Sequence, residues 1–400
     1  MAAILAACAK GPKPGATQGA QIGTGGIGGG PYPLARPDAP VDWNILDDNQ
    51  PVADGLQPEG GPLKIFGYTD YIWKKVIERF ESDYGVKIQY TVFDTPEEMV
   101  RKVQSGVADF DLIVSVTLDN VGKLIAGKLV QPLNHTYVPN LQKNVWPSLH
   151  SPYYDKDSRY TVPYTLYSTG IAWQNDLVSD DPTSMSNPYD LLWDPRYKGK
   201  AHLLNGARDT VAVALLRAGV TDVNTEDPAV LDRAKQDLLE GVEMMNWKFD
   251  HVDYNELGQW TLHHAWSGQA AYYQYYLPKG LSIEQLSYIW PPREGTAEGL
   301  LQDDVFMIPR SAKNPVLAHT LVNFLLDPRH GIDNYSYEGY QPPLNQLQPD
   351  EVVKQGLVPP NLKNIVITED DFELGIPTLE LTPEGTQRWQ TIYQEVTGGA

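Results

Sequence analysis

Acidic, aromatic and hydroxyl-bearing side chains gather at a few short stretches of this chain. The candidates for a binding site are Tyr68, Thr69, Asp70, Tyr71, Thr117, Asp119, Asp209 and Trp266. Carboxylates form charge-assisted hydrogen bonds with ammonium groups. Aromatic faces attract a cation by about 0.5–2 kcal/mol each and pack against methylene groups. The mixture therefore predicts a site for a small organic cation with an apolar stem.

Several of these residues also have a purely structural interpretation. Asp70 or Asp209 could cap the helix that follows it, and Tyr68 or Tyr71 could belong to the edge of the core. The stretch "AWSGQAAYYQYYLP" (265–278) divides in the same way. Trp266 is predicted to face the ligand, with Ser267 as the N-cap of a helix whose tyrosines mainly pack the interior.

The elements that would position these residues alternate between strands and helices. In the first half, "LKIFG", "VKIQYTVF" and "FDLIVSV" are strands, and "TPEEMVRKV" begins a helix with Thr95 as N-cap and Glu98 closing a capping box. In the second half, "KAHLLN" precedes two helices, the later one running from Asp227 to a stop at Gly241. The strand "DVFMIP" and a helix stopped by Pro328 follow.

Such alternation predicts two α/β lobes built on parallel sheets. In open sheets of this kind, ligands bind beyond the carboxyl ends of the strands. Each candidate residue comes at or just after the end of a predicted strand.

Composition limits the possible functions. The net charge of −20 disfavours nucleic acid as a partner and favours a cation. The chain contains no run of 18 apolar residues that could span a membrane.

The single cysteine, Cys8, lies in "ILAAC", which resembles a bacterial lipobox, although an accidental cysteine is the alternative. Residues 1–7 are too short for a complete signal peptide, so we expect the true start to lie upstream or the chain to be a fragment. Residues 1–30 are interpreted as a signal remnant and Gly-rich tether. Residues 31–61 are interpreted as a Pro-rich extended arm anchored by Trp43 and Ile45.

From about Leu63 onwards the chain resembles the solute-binding proteins of ABC importers, in particular the spermidine/putrescine-binding branch. The stretches that carry the resemblance are "YTDYIWKKVIERFESDYGVKIQY", "FDLIV", "VPYTLYSTGIAW", "LLWDPRYKGKAHLL", "AWSGQAA", "YIWPPREG" and "KNPVLAHTLVNFLLDP". The resemblance implies a two-lobed periplasmic-binding-protein fold with crossing hinge strands and a ligand cleft between the lobes. Crossings are expected near Ser168, Asp303 and Gln346. These give lobe 1 as 62–167 plus 304–345 and lobe 2 as 168–303 plus 346–400.

The resemblance also implies roles for individual residues. Thr69, Asp70 and Tyr71, then Trp266, Asp209 and Asp304, occupy positions at which the family holds amines. Three positions depart from the family pattern: Gly206 stands in place of an acid, Leu118 or Asp119 in place of a tyrosine, and Gln302 in place of a tryptophan. Asp119 could restore an acid from the other lobe.

We therefore predict a lipid-anchored extracytoplasmic protein that captures a polyamine and delivers it to an ABC permease. It is expected to be a monomer that needs no cofactor or bound metal and binds no nucleic acid. One alternative is a ferric-iron carrier that uses the tyrosines near His263 and His264. The other is a secreted hydrolase, which the sequence disfavours because it has no G-x-S-x-G, H-E-x-x-H or Walker motif.

Overall fold

The computed structural model of the chain describes residues 22–24, 31–106, 109–250, 259–290 and 299–398. Cys8, and with it the predicted lipidation, lies outside these residues. In the part of the chain that is described, no helix is both long enough and apolar enough to cross a bilayer.

Strands and helices alternate as the sequence predicts. The strands are β1 (Ile22–Thr24), β2 (Pro31–Pro33), β3 (Leu63–Gly67), β4 (Ile88–Val92), β5 (Leu112–Thr117), β6 (Val162–Gln174), β7 (Ala201–Leu204), β8 (Lys248–Asp250), β9 (Leu262–Trp266), β10 (Leu286–Ile289) and β11 (Leu300–Met307). The helices are α1 (Lys74–Tyr84), α2 (Pro96–Gln104), α3 (Leu118–Ala126), α4 (Pro139–Asn144), α5 (Ala207–Arg217), α6 (Pro228–Met245), α7 (Ser267–Tyr272), α8 (Pro315–Leu325), α9 (Pro328–Glu338), α10 (Pro349–Lys354), α11 (Glu369–Leu374) and α12 (Pro383–Thr397). Short 3₁₀ helices occupy several of the connections.

One large sheet connects two parallel portions through two long central strands. Its order is β4-β3-β5-β11-β6-β9-β7-β8, with β10 paired to β6. β3 runs parallel to β4 and β5, and β7 runs parallel to β8 and β9. Between these portions β11 and β6 pair antiparallel, with Leu301 opposite Ser168 and Asp303 opposite Leu166. This is the predicted α/β arrangement with crossing strands; the residues at which each lobe begins, and a crossing near Gln346, stay predictions.

Local sequence signals explain several helix ends. Thr95 accepts a hydrogen bond from the backbone N–H of Glu98, as predicted for the N-cap of α2. The reciprocal bond runs from the Asp94 N–H to Glu98, one residue earlier than a standard capping box. Asp227 caps α6 through the N–H of Ala229, which confirms the predicted start of that helix.

Two predicted helix signals are wrong. α6 continues through Gly241 to Met245 and ends at Asn246, which has a φ of 51°. Glycine is required at 241 by close packing, because a Cβ there would lie 2.1 Å from the ring of Trp247. Ser267 is the first residue of α7 rather than its cap, and its Oγ accepts a hydrogen bond from the Ser168 N–H at 3.1 Å.

The Pro-rich arm is packed against the globular part of the chain. Tyr32, Leu34, Val41 and Trp43 are buried in one hydrophobic cluster with side chains of β5, α3 and β11. The prediction that Trp43 anchors the arm is confirmed, since its indole N–H donates to the Tyr154 carbonyl at 2.8 Å. The same prediction for Ile45 is wrong, because that side chain is 41% exposed.

Candidate functional site

Asp304 lies at the centre of the candidate site, on the central strand β11. Its side chain is 1% exposed, although it belongs to one of the residue types least often found in protein interiors. Tyr71 donates to it at 3.2 Å, Tyr167 at 3.4 Å, and Ser115 through its hydroxyl. Burial raises the pKa of Asp304 to about 6, although these hydrogen bonds favour the charged form. Asp304 is therefore a carboxylate that the fold solvates with hydroxyl groups and that forms no salt bridge with any residue the structure describes.

Asp209 and Trp266 form the second part of the site. Asp209 is in the first turn of α5, and Trp266 is the last residue of β9. The indole N–H of Trp266 donates to Asp209 at 3.3 Å. Burial raises the pKa of Asp209 to about 6 as well. Asp209 and Trp266 are far apart in the sequence. They come together because Asp209 follows β7 and Trp266 ends β9, and these two strands are paired.

Aromatic rings connect the two carboxylates. Tyr167 contacts Trp266 with ring centroids 6.3 Å apart and Tyr340 with centroids 5.7 Å apart. Tyr340 in turn lies 5.2 Å from Tyr71, which lies 5.6 Å from Tyr68. The result is a continuous aromatic lining, which suits the methylene stem of a cationic ligand.

Sequence analysis missed Tyr167 and Tyr340. Tyr167 belongs to the long apolar strand β6, every residue of which is buried, so it reads as core. Tyr340 follows α9 in a turn that contains Gly and Pro. A β-bridge between Leu166 and Gln341 places this turn beside β6, and the sequence gives no sign of that long-range contact. Because Tyr167 and Tyr340 line the site, it keeps aromatic walls although Gln302 replaces the tryptophan expected from the family pattern.

Asp119 lies near the other two acids. It accepts hydrogen bonds from Thr117 at 2.6 Å and from the Asn120 amide at 2.9 Å, all within the first turn of α3 and the residue before it. Its negative charge contributes to the raised pKa of both Asp304 and Asp209. Asp119 is thus close enough to Asp304 and Asp209 for its charge to act on both, and its role in ligand binding stays a prediction.

Thr69 and Asp70 differ from the other candidates because they are exposed. Asp70 has a φ of 58°, a left-handed conformation that aspartate tolerates. It does not cap α1, whose N-cap residue is Trp73. These two residues can act only at the outer edge of the site.

Glu338 is a further buried acid that sequence analysis missed. It is 5% exposed and ends α9, two residues before Tyr340. One carboxylate oxygen accepts a hydrogen bond from the Asn334 amide at 2.7 Å, whereas Oε2 has no hydrogen-bond partner among the described residues. Burial raises the pKa of Glu338 well above its ordinary value, and the charge of Asp304 contributes. No sequence signal marks this residue, because its burial depends on how α9 packs.

Basic side chains do not neutralise these acids. Across the described ranges, Asp119, Asp209, Asp304 and Glu338 form no ion pair with lysine or arginine within 4.0 Å. Arg208 is a nearby cation whose charge favours the ionised form of Asp209 without forming a salt bridge to it. Its guanidinium lies 4.5 Å from the ring of Trp389 and donates to Asn224. The site therefore has an excess of negative charge in a desolvated environment, which favours a cationic ligand.

The tyrosines that follow Trp266 divide into two groups. Tyr272 and Tyr273 are buried, as predicted for the wall of a lobe, whereas Tyr275 and Tyr276 are 52% and 42% exposed. Tyr273 bonds to His263 at 2.5 Å, and His263 also bonds to Asp250 at 3.1 Å. Both ring nitrogens of His263 are thus occupied, and the described residues contain no group of three or more His, Cys, Asp or Glu side chains that could hold a metal ion.

Comparison with known proteins places this geometry in a family. The family described as bacterial extracellular solute-binding protein matches residues 75–360. The spermidine/putrescine-binding periplasmic protein of Escherichia coli K12 is 29% identical over 274 residues, which cover 68% of this chain and 74% of that protein. The putrescine-binding periplasmic protein of the same organism is 27% identical over 323 residues, covering 76% and 85%.

The fold agrees with solved structures. The spermidine/putrescine ABC transporter substrate-binding protein of Streptococcus pneumoniae superimposes with a TM-score of 0.67 at 21% identity, over 84% of this chain and 98% of that one. The chain belongs to the bacterial extracellular solute-binding proteins. Its fold is the two-lobed fold of periplasmic solute-binding proteins.

Proposed function

We propose that the chain binds a polyamine, such as putrescine or spermidine, and delivers it to an ABC permease. The observation that carries this proposal is the buried Asp304, which has hydroxyl donors but no cation and lies beside an aromatic lining. An ammonium group would supply the missing charge, and the rings would pack on the methylene groups. The names of the related proteins support the same ligand class.

In this proposal each candidate residue has a role. Asp304 and Asp209 bind ammonium groups, and Asp119 adds negative charge between them. Trp266 and Tyr71 stack on the stem, while Tyr68, Thr69, Asp70 and Thr117 shape the rim. Tyr167 and Tyr340 complete the aromatic lining. Glu338 offers a further carboxylate, which could compensate for the acid that is missing at Gly206.

Binding energy, rather than covalent chemistry, drives the cycle. The lobes close on the ligand, and the closed form is the one that the permease recognises. The protein is proposed to act outside the cytoplasm as a monomer without enzymatic activity, with Cys8 carrying its lipid anchor.

Calorimetric titration of the chain with putrescine, spermidine and spermine at two salt concentrations tests the proposal. We expect micromolar or tighter binding that weakens as salt rises, because the pairing is between charges. Asp304→Asn, which keeps the shape of the side chain, is the matched control and should bind far more weakly. Absence of binding to all three amines would refute the polyamine assignment, whereas the assignment of the fold would stand.

A further inference from the structure

The N-terminal arm contacts both halves of the molecule. It precedes the family-matched region, which begins at residue 75. One set of contacts fixes it to the half that contains β3, β4 and β5. Trp43 donates to the Tyr154 carbonyl, Asn49 donates to the Val130 carbonyl at 2.9 Å, and Tyr137 donates to the Ala53 carbonyl at 2.7 Å. The arm is thus attached to this half along most of its length.

At its N-terminal end the arm reaches a residue of the other half. The Tyr32 hydroxyl donates to Glu380 Oε1, and the Arg36 guanidinium donates to the Glu380 carbonyl at 2.8 Å. Tyr32 and Glu380 are each 6% exposed, so the Tyr32–Glu380 bond is shielded from water. A buried hydrogen bond to a carboxyl group is among the stronger single contacts in proteins.

Glu380 is held by the half that contains β7, β8 and α6. The flanking residue Leu379 donates its N–H to Asn224 at 2.7 Å, and Thr382 donates its N–H to Glu226 at 2.9 Å. Leu381 packs in the same hydrophobic cluster as residues of α5 and α6. A rotation of one half relative to the other therefore changes the distance between Tyr32 and Glu380.

The contact lies where the two halves approach closely. A Cβ at Gly122, on α3, would lie 2.7 Å from Glu380 Oε2 and 3.1 Å from the ring of Tyr32. The same helix carries Asp119 at its first turn. The Tyr32–Glu380 contact is thus three residues along α3 from an acid of the candidate site.

We propose that Tyr32 and Arg36 brace the two lobes through Glu380 and hold them in the arrangement that covers the ligand site. In this arrangement Asp304 is 1% exposed, so a bound ligand can leave only when the lobes separate. Loss of the brace makes separation more frequent. The brace positions the lobes and does not touch the ligand. This inference rests on the proposed function in one respect: the first test below uses the dissociation of an amine to detect separation of the lobes.

The first test compares two phenol deletions in the full chain by stopped-flow measurement with spermidine. Tyr32→Phe removes the bond between the lobes. Tyr137→Phe is the matched control, because it removes hydrogen bonds between the arm and one lobe only. We expect Tyr32→Phe to raise the dissociation rate about three- to tenfold with little change in association. Tyr137→Phe should leave both rates within about twofold; equal dissociation rates for wild type and Tyr32→Phe would overturn the brace.

The second test needs no ligand, so it separates failure of the brace from failure of the polyamine proposal. Spin labels at Glu78→Cys on α1 and Arg233→Cys on α6, in a Cys8→Ser background, report the distance between the halves by double electron–electron resonance. Both positions are exposed. We expect Tyr32→Phe, and independently Glu380→Ala, which removes the acceptor, to add a population at a second distance that wild type and Tyr137→Phe lack. An unchanged distribution in both variants would overturn the proposal.

Discussion

The part-buried Asp250 and the buried Asp304 show opposite ways of keeping a carboxylate away from water. Asp250 lies 2.7 Å from His202 Nδ1 and 3.1 Å from His263 Nε2, so each of its oxygens has an imidazole partner. Burial opposes ionisation, but these hydrogen bonds outweigh it and hold the pKa of Asp250 well below its ordinary value. The donors that the described part of the chain offers to Asp304 are hydroxyl groups, and burial raises its pKa to about 6.

The difference separates a structural acid from the acid that we propose binds the ligand. The fold supplies the partners of Asp250 from β7 and β9, and no further group is needed. The described residues give Asp304 a polar environment with no salt-bridge partner, which leaves part of its charge uncompensated. Folding has already removed the Asp304 carboxylate from water. A cation that binds there therefore gains electrostatic attraction without a further cost for desolvating the carboxylate.

The largest expected effect comes from Asp304→Asn. We expect the affinity for putrescine or spermidine to fall about 100-fold, because loss of one partner of a buried charge pair typically costs about 2–5 kcal/mol. The salt dependence of binding should decrease with it. Calorimetry at two salt concentrations measures both quantities.

Asp250→Asn is the counterpart in the other environment. It should lower the free energy of unfolding by about 1–3 kcal/mol, since the amide offers one oxygen where His202 and His263 each have one carboxylate oxygen. Amine affinity should stay within about twofold at a temperature where the protein remains folded. Equal losses of affinity in the two variants would contradict the distinction between the two acids.

Trp266→Ala is expected to weaken amine binding about tenfold or more, through loss of stacking and of the hydrogen bond to Asp209. Thermal denaturation should show that the variant is still folded. Trp266→Phe, which keeps an aromatic face, should recover part of the affinity. Unchanged affinity in Trp266→Ala would remove this residue from the site.

The pH dependence should have opposite signs for binding and for stability. Amine affinity should fall roughly tenfold between pH 7 and pH 5, because protonation of Asp304 competes with the cation. Its pKa is higher in the folded, ligand-free protein than in the unfolded chain, so between about pH 6 and pH 4 the folded state binds more protons. The contribution of Asp304 to stability therefore rises as the pH falls through this window. Denaturant unfolding of wild type and Asp304→Asn isolates that contribution, and identical pH profiles would contradict it.

The smallest expected effect is a change of preference in Glu338→Gln. If this acid compensates for the one missing at Gly206, the ratio of spermidine to putrescine affinity should fall about threefold, while putrescine binding changes less. Glu380→Gln is a control for the loss of a buried acid, because Glu380 lies outside the amine site and should leave the ratio unchanged. A constant ratio in Glu338→Gln would assign that residue to the core.

Predictions from local patterns succeeded wherever a few neighbouring residues decide the structure. The strand Leu63–Gly67, the cap at Thr95 and the start of α6 at Asp227 follow from spacing and capping chemistry alone. The end of α6 could not be predicted in this way. Gly241 lies inside the helix, where the absence of a side chain leaves room for the ring of Trp247. The hydrophobic periodicity of the helix gives no sign of this contact. Ser267 was misread for the same reason, since its hydroxyl bonds to Ser168 on another strand.

The sequence by itself determined the order of strands and helices, the acidic balance, and the positions just beyond the strand ends where a site could form. These depend on residue types within a short window. Only the tertiary structure decided which acids are neutralised and which are not. Asp250 and Asp304 are the same residue type, and their pKa values shift in opposite directions because strand pairing brings imidazoles to one and hydroxyl groups to the other. Tyr167, Tyr340 and Glu338 entered the site in the same way, through packing between distant segments.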